Sequence, residues 1–425
     1  MSRLACSLLY SLLCYLVQPL IWLRLAWRGY RQPGYLRQIG ERYGFYAGRP
    51  PTPPTPLFWL HAVSVGETRA AEPLIEALLA EYPEHSLLLT HMTPTGRAVG
   101  VELIGKHGPR LSQAYLPYDL PGACARFLGH FKPDIGLLME TEIWPNLIAA
   151  ARARGLPLLL VNARLSAGSQ RAYRRFLPLI RPAVKKLAAV AAQTPADASR
   201  LESIGAQHVR VTGNLKFDVT PAAEKLRLGG HWRQALGERP VWLAASTREG
   251  EEALILDAFA RLGPSGALLL LVPRHPQRFG EVAALIEERQ LLFCSRGSRL
   301  PTPETRVWLG DSMGEMPAYF ALADLALIGG TLLPFGGQNL IEAAACACPV
   351  LVGPHTYNFA QAAEDALACG AARRVADAAD AARTAQGLLA DRAALAAMRQ
   401  AALEFSQAHR GATARTIAVI KEILD

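Results

Sequence analysis

The chain has 425 residues, with 45 Lys and Arg against 36 Asp and Glu, and 51% of it is hydrophobic. That apolar content beside only 19% charged residues excludes an intrinsically disordered chain, and 35 Gly with 30 Pro are too few for a collagenous or low-complexity one. The net charge of +9 suggests a polyanion partner, but residues 1–49 hold seven arginines and one acid, or +6 of it, and the near-neutral remainder has no cation runs interleaved with aromatics as nucleic-acid binding needs.

The first element is apolar. Leu4 to Leu23 run for 20 residues without a charge, the length of a helix that crosses a hydrocarbon core. Trp22, Trp27, Tyr30 and the arginines that follow read as an interfacial belt, and the positive-inside rule places the body on the cytoplasmic side. Residues 1–30 are therefore expected to be a membrane anchor with a basic juxtamembrane segment, spanning or, given Gln18 and Pro19, lying in the interface. No small-x-small cleavage site follows, which disfavours a signal peptide. Seven cysteines without framework spacing indicate a reducing compartment.

A Pro-rich hinge at 49–56 leads into the body. Short apolar runs near 57–63, 86–92, 134–139, 156–162 and 187–192 alternate with amphipathic stretches, and the pattern restarts near 240–245, 267–272, 305–309, 325–329 and 349–352. Continuous apolar strands separated by helices predict parallel sheets covered on both faces. The polar segment 214–238, with Pro221 and Gly229-Gly230, is read as the boundary, giving one doubly wound domain over 31–218 and another over 219–425. Such domains bind ligands at the carboxyl ends of their strands, so a common cleft is expected, with the Ala-rich stretch 359–424 packed across it as a clamp.

The loops carry the chemistry. His61-Ala-Val-Ser-Val-Gly-Glu67-Thr68 runs into a helix over 68–81, placing Glu67 in a first turn, either as a dipole-complementing acid or as a general base. Glu140 ends an apolar run, and Glu142 follows in Glu-Thr-Glu-Ile-Trp-Pro-Asn. Two acids from separate loops of one sheet favour a catalytic reading, although Glu142 also suits a helix start. Gly213-Asn-Leu-Lys216-Phe-Asp218 adds a cation to the first domain. In the second, Pro273-Arg274-His275 offers a phosphate ligand, beside Gly310-Asp-Ser-Met313-Gly314-Glu315 and Gly329-Gly330 to Gly336-Gly337-Gln338-Asn339-Leu340-Ile341-Glu342. Glycines ahead of a helix start are expected to expose anion-binding N–H groups, and Glu342 to accept from ribose hydroxyls. No Gly-Lys-Ser/Thr follows, so this is no Walker A loop, and no metal-ligand spacing occurs. The sum is a membrane-tethered transferase using a nucleotide-activated sugar.

The runs HAVSVGET, THMTPTGR, YLPYDLP, METEIWPNL, NARLSA, NLKFD, LVPRHPQRF, GDSMGE and GGQNLIEAAA, spread over nearly the whole chain, resemble the 3-deoxy-D-manno-octulosonic acid (Kdo) transferases of lipopolysaccharide synthesis. The resemblance implies an α/β fold of GT-B type and transfer of Kdo from CMP-Kdo to the glucosamine 6′-hydroxyl of lipid IVA, with inversion, at the cytoplasmic face of the inner membrane. It implies Glu67 as proton acceptor, Glu140 and Lys216 as transition-state stabilisers, and Pro273, Arg274, Met313, Gly314, Glu315, Asn339, Leu340, Ile341 and Glu342 as the CMP site. Neither a cofactor nor a nucleic-acid partner is implied; the partners are CMP-Kdo, lipid IVA and an anionic membrane surface. The family commonly has His, then Asn-Pro-Leu-Glu, where this chain has Gln338 and Asn339-Leu-Ile-Glu342. The rival readings are a UDP-sugar transferase of the same type on another lipid, and a tethered nucleotide-binding scaffold whose acids are structural.

Overall fold

The computed structural model describes residues 3–47, 56–263 and 266–424, so the Pro-rich hinge lies outside the described residues except for Pro56. The chain forms two compact units, Met1–Val219 together with Arg410–Asp425, and Thr220–His409. Each is built on a seven-stranded parallel sheet.

The first sheet comprises β1 (Leu57–His61), β2 (Ser86–His91), β3 (Leu111–Tyr115), β4 (Ile135–Met139), β5 (Leu158–Ala163), β6 (Ala189–Ala192) and β7 (Val209–Val211), in the order β3-β2-β1-β4-β5-β6-β7. The chain winds outward from β1 to β3 and then resumes on the other side at β4. The topological switch therefore falls between β1 and β4, where ligands of open α/β sheets bind. Alternate residues of β1 feed two cores: Trp59 packs with Phe127 on one face, and Phe58 and Leu60 pack with Leu74 and Ile75 on the other. This double burial explains the continuous apolar runs.

The second sheet comprises β8 (Val241–Thr247), β9 (Leu268–Pro273), β10 (Phe293–Ser295), β11 (Val307–Leu309), β12 (Leu325–Ile328), β13 (Val350–Val352) and β14 (Ala372–Arg374). Its order is β10-β11-β9-β8-β12-β13-β14, and its switch falls between β8 and β12.

Three expectations change. The apolar N-terminal segment is two helices, Arg3–Leu16 and Gln18–Arg31, bent by 43° where they meet. The cause is Pro19, which lacks an N–H and whose ring clashes with the carbonyl four residues back, so a single helix cannot run through. Among the described residues no single helix is long and apolar enough to cross a membrane, although the bent pair passes that test jointly by length and composition. One side of the pair is tied to the first unit: Tyr10 Oη donates to Asp119 at 2.8 Å, Ser11 Oγ to Asn146 Oδ1 at 2.8 Å, and Tyr43 Oη to Gln18 Oε1 at 3.0 Å. Leu8, Leu9, Leu12, Leu13, Leu16, Leu20 and Leu23 are exposed.

Next, Gly229-Gly230 marks no linker but sits inside the helix Ala223–Leu236. A Cβ on Gly229 would lie 2.4 Å from the Ala318 carbonyl, so glycine here lets two helices pack closely. Finally, the stretch 359–424 is shared out rather than acting as one clamp. The helices Ala360–Ala368, Ala378–Ala390 and Arg392–Ala408 belong to the second unit, while Ala412–Leu424 packs on the helix Val65–Glu81 of the first. Its start is pinned by Asp218, whose carboxylate accepts the N–H groups of Gly411 at 2.7 Å and Thr413 at 2.5 Å.

Candidate active site

The first unit gathers its acids at the β1/β4 switch. Ser64 precedes the helix Val65–Glu81, and Glu67 stands in its first turn, curled back so that Oε2 accepts the Val63 N–H at 2.5 Å. Burial pushes the Glu67 carboxyl up, and repulsion from Glu140 and Glu142 adds to it; the Val63 N–H and Lys216 pull the other way, leaving a pKa of about 7. An ordinary glutamate is fully ionised at that pH, whereas this one is divided between acid and base.

Glu140 directly follows β4 with a left-handed backbone, φ +55°, which is uncommon for a residue with a Cβ. Its carboxylate is buried and bridged, accepting from Lys216 Nζ at 2.8 Å and Arg164 Nε at 2.9 Å. Burial alone would raise its pKa, but the two cations outweigh burial and hold it below the usual carboxylate range. Among the described residues Glu142 forms no such ion pair. Burial raises its carboxyl even though Trp144 Nε1 donates to it at 2.5 Å. The three acids thus differ by environment: one fixed anion, Glu140, and two carboxyls held toward neutrality.

The signals the sequence reading did not assign are supporting ones. Asn162, one residue before the end of β5, is buried with φ +50°, and its Oδ1 accepts the Leu215 N–H at 3.0 Å. Asn214 Oδ1 accepts the Lys216 N–H at 3.0 Å, so two asparagines shape the turn that delivers Lys216. Arg164 lies in the same NAR run, immediately past a buried strand, which is the pattern that exposed Glu140. The buried histidines His61 and His91 have pKa values pushed down by burial to about 3 and about 4, so both are neutral, and His61 Nδ1 is engaged by Thr90.

The second unit places its expected residues on neighbouring strand ends. Pro273 ends β9 and Arg274 follows; Met313 and Gly314 (φ +73°) lie in the turn after β11. Glu315, at the cap of the helix Met316–Leu322, accepts from Ser312 Oγ at 2.6 Å and pairs with Arg296 at 3.2 Å. Asn339 caps the helix Leu340–Ala345, its side chain accepting the Ile341 N–H at 3.2 Å, and Glu342 is half-buried in that helix's first turn. Leu340 and Ile341 send their side chains into the core, so only their backbone is available to a ligand. The glycine-rich turn corrects one expectation. The N–H groups of Gly337 and Gln338 are not presented to an anion but close onto the carbonyls of Gly330 at 2.7 Å and Gly329 at 3.0 Å, because left-handed glycines at 330, 336 and 337 curl the loop onto itself. Among the described residues no group of three or more His, Cys, Asp or Glu side chains is placed to hold a metal ion.

Residues 37–219 match the family model for 3-deoxy-D-manno-octulosonic-acid transferase (kdotransferase). The chain is also 48% identical over 428 residues to the 3-deoxy-D-manno-octulosonic acid transferase of Bordetella pertussis, covering 98% of this chain and 99% of that one. It belongs to the Kdo transferase family. The Kdo transferase of Haemophilus influenzae is 36% identical over 98% of each chain. Among solved structures, a glycosyltransferase from Rickettsia africae shares the fold with a TM-score of 0.61 at 14% identity, covering 88% of this chain and 100% of that one. A second GT-B-like neighbour, Alr3699/HepE of Anabaena in complex with UDP, has a TM-score of 0.58 at 15% identity over 87% of this chain and 99% of that one. In this Kdo transferase the β1 and β4 loops therefore carry the acids, and the β9, β11 and β12 loops carry the segments expected to bind nucleotide.

Proposed function

We propose that the chain transfers Kdo from CMP-Kdo to the glucosamine 6′-hydroxyl of lipid IVA with inversion at the anomeric carbon. The observation that carries the reading is Glu67, a partly buried carboxyl with a pKa of about 7 beside the fixed Glu140–Lys216 pair. A base is most effective when its pKa lies near the working pH, and burial has moved Glu67 there. In the proposed step the acceptor oxygen bonds to the anomeric carbon as its proton passes to Glu67, and the electron pair of the breaking C–O bond leaves on the CMP phosphate. Because a phosphate monoester has a second pKa near 6, that leaving group needs no general acid at neutral pH. Lys216, held by Glu140, and Arg274 supply positive charge for the anion that develops. Glu140 orients Lys216 through the 2.8 Å ion pair. CMP is proposed to lie against Pro273, Arg274, Met313 to Glu315 and Asn339 to Glu342.

The exposed leucines of the bent helix pair, with Arg24, Arg28 and Arg31 beside them, support an interfacial seat on an anionic inner-membrane surface, body on the cytoplasmic side. Mass spectrometry of lipid IVA after incubation with CMP-Kdo tests the reaction: a mass gain of one or more Kdo units is expected, and no gain would refute it. Glu67→Ala should abolish transfer with CMP binding intact; near-normal turnover would remove Glu67 from the mechanism. Transfer in EDTA should match transfer without it, since these roles need no metal. Greater thermal protection by UDP than by CMP would favour the UDP-sugar reading.

A further inference from the structure

The segments assigned to the donor follow β9, β11 and β12, yet in the sheet order β11-β9-β8-β12 the strand between β9 and β12 is β8. The loop after β8 borders the switch point directly. We propose that Arg248, the first residue after β8, binds the carboxylate of the donor's ulosonic acid, while Arg274 meets the phosphate. The inference rests on the proposed function and adds a specificity residue to it.

Register places the two arginines side by side. Thr247 pairs with Pro273, and the Arg274 N–H bonds the Thr247 carbonyl at 3.0 Å, so Arg248 and Arg274 leave adjacent parallel strands at the same level. The Arg248 backbone is fixed. Its N–H donates at 2.9 Å to Glu251, a wholly buried carboxylate that also takes the N–H groups of Gly330 at 2.6 Å and Leu332 at 3.0 Å. One acid thereby binds the loop after β8 to the loop after β12. Gly329 permits that approach, since a Cβ there would lie 2.4 Å from the Ser246 carbonyl oxygen. The side chain is oriented too: its guanidinium carbon sits 4.4 Å from the centre of the Phe335 ring.

Charge separates this arginine from its neighbour. Arg278, on the same rim, is neutralised by Glu252 and Glu281, each at 2.7 Å. Among the described residues neither Arg248 nor Arg274 forms an ion pair, and the Arg248 Nε is buried without a hydrogen-bond partner. His275, next to Arg274 in the chain, has its pKa lowered, first by burial and then by these two arginines, so their fields overlap. Two uncompensated cations suit a donor with two anions close together, and CMP-Kdo has them: a phosphate on the anomeric carbon and a carboxylate on that same carbon. An arginine held by an aromatic face presents its planar fork edge-on, matching a planar carboxylate. An ordinary aldose nucleotide has no such carboxylate, so this contact would let the site select an ulosonic acid.

The test uses full-length protein, with titration of CMP and initial-rate KM for CMP-Kdo in Arg248→Gln and Arg248→Lys. Loss of a charge-assisted bidentate contact should raise the donor KM about 10- to 100-fold with CMP affinity changed less than about twofold, and lysine should rescue only part, being a point charge. Arg274→Ala should instead weaken CMP itself. An unchanged donor KM, or a fall in CMP affinity matching it, would overturn the assignment. Should Arg248→Gln fail to fold, Phe335→Leu frees the guanidinium and is expected to raise the donor KM alone; no rise refutes the proposal. A wild-type chain that binds CMP without consuming CMP-Kdo sinks the proposed function and this contact with it, whereas active wild type with unaltered Arg248 variants sinks this contact alone.

Discussion

Replacing Glu67 with glutamine should cost the enzyme its activity and make it more stable, by an amount that depends on pH. The Glu67 carboxyl has a pKa of about 7 in the fold against 4.5 ordinarily, so folding favours its protonated form. Between those values the folded chain keeps a proton that the unfolded chain has lost, and stability falls as pH rises, levelling off above about 7. A tenfold change in a proton-binding constant corresponds to about 1.4 kcal/mol, so an ionised Glu67 burdens the fold by roughly 2–3 kcal/mol at pH 8, the lower figure allowing for partial solvent contact. Glutamine keeps an acceptor for the Val63 N–H and carries no charge. The variant should therefore match wild type near pH 4.5 and exceed it at pH 8 by several degrees in Tm, since for a domain of this size one kcal/mol moves Tm by about 2–4 °C. Thermal unfolding followed by circular dichroism at both pH values is the assay. A Tm difference that does not change with pH, or a variant less stable at pH 8, would mean that Glu67 is not a strained base and would remove the physical ground for its role.

Three further outcomes are expected. Lys216→Met leaves the buried Glu140 with Arg164 alone and should destabilise the first unit by about 3 kcal/mol at pH 7. Because Glu140's pKa is held below the ordinary 4.5, its pairing stabilises above that pH and is lost as pH falls through the lowered value, so the cost should shrink in acid; urea unfolding at pH 7 and pH 3 checks this. Gly329→Ala would drive a methyl into the Ser246 backbone and should cost about 3 kcal/mol, with CMP affinity falling alongside; wild-type stability would show that β8 and β12 separate easily. Arg278→Met uncovers Glu252, which has no solvent exposure, and should cost about 3–5 kcal/mol, much of it recovered by adding Glu252→Leu; double-mutant denaturation curves decide.

The ten strands read from apolar runs are all present, whereas β3, β7, β10 and β14 were not legible. Those four are the two edges of each sheet. A central strand is buried on both faces and writes an unbroken apolar run, but an edge such as Val209-Arg-Val or Ala372-Arg-Arg is half in solvent and reads as loop. The acids Glu67 and Glu140 were visible because Glu140 directly follows such a run and Glu67 stands in the first turn of the helix that another such run leads into. Arg164, Asn162 and Glu251 were not, since their partners lie 24 to 81 residues away in sequence and only strand order brings them near. The helix break at Pro19 was written in the sequence, but hydropathy averages over it.

The helix Ala412–Leu424 makes the second unit an insertion within the first. A segment 220–409 carries its own core, whereas a segment ending at 219 lacks Ala412, Ile417, Val419 and Ile420 from one face of its sheet. Each of the larger three buries roughly 2 kcal/mol of apolar surface, so that face stays open until they arrive. During translation they arrive only after the whole second unit has been made. The unit begun first is thus finished last, and a ribosome stalled within residues 220–409 would hold a nascent chain whose first sheet still lacks part of the cover on one face.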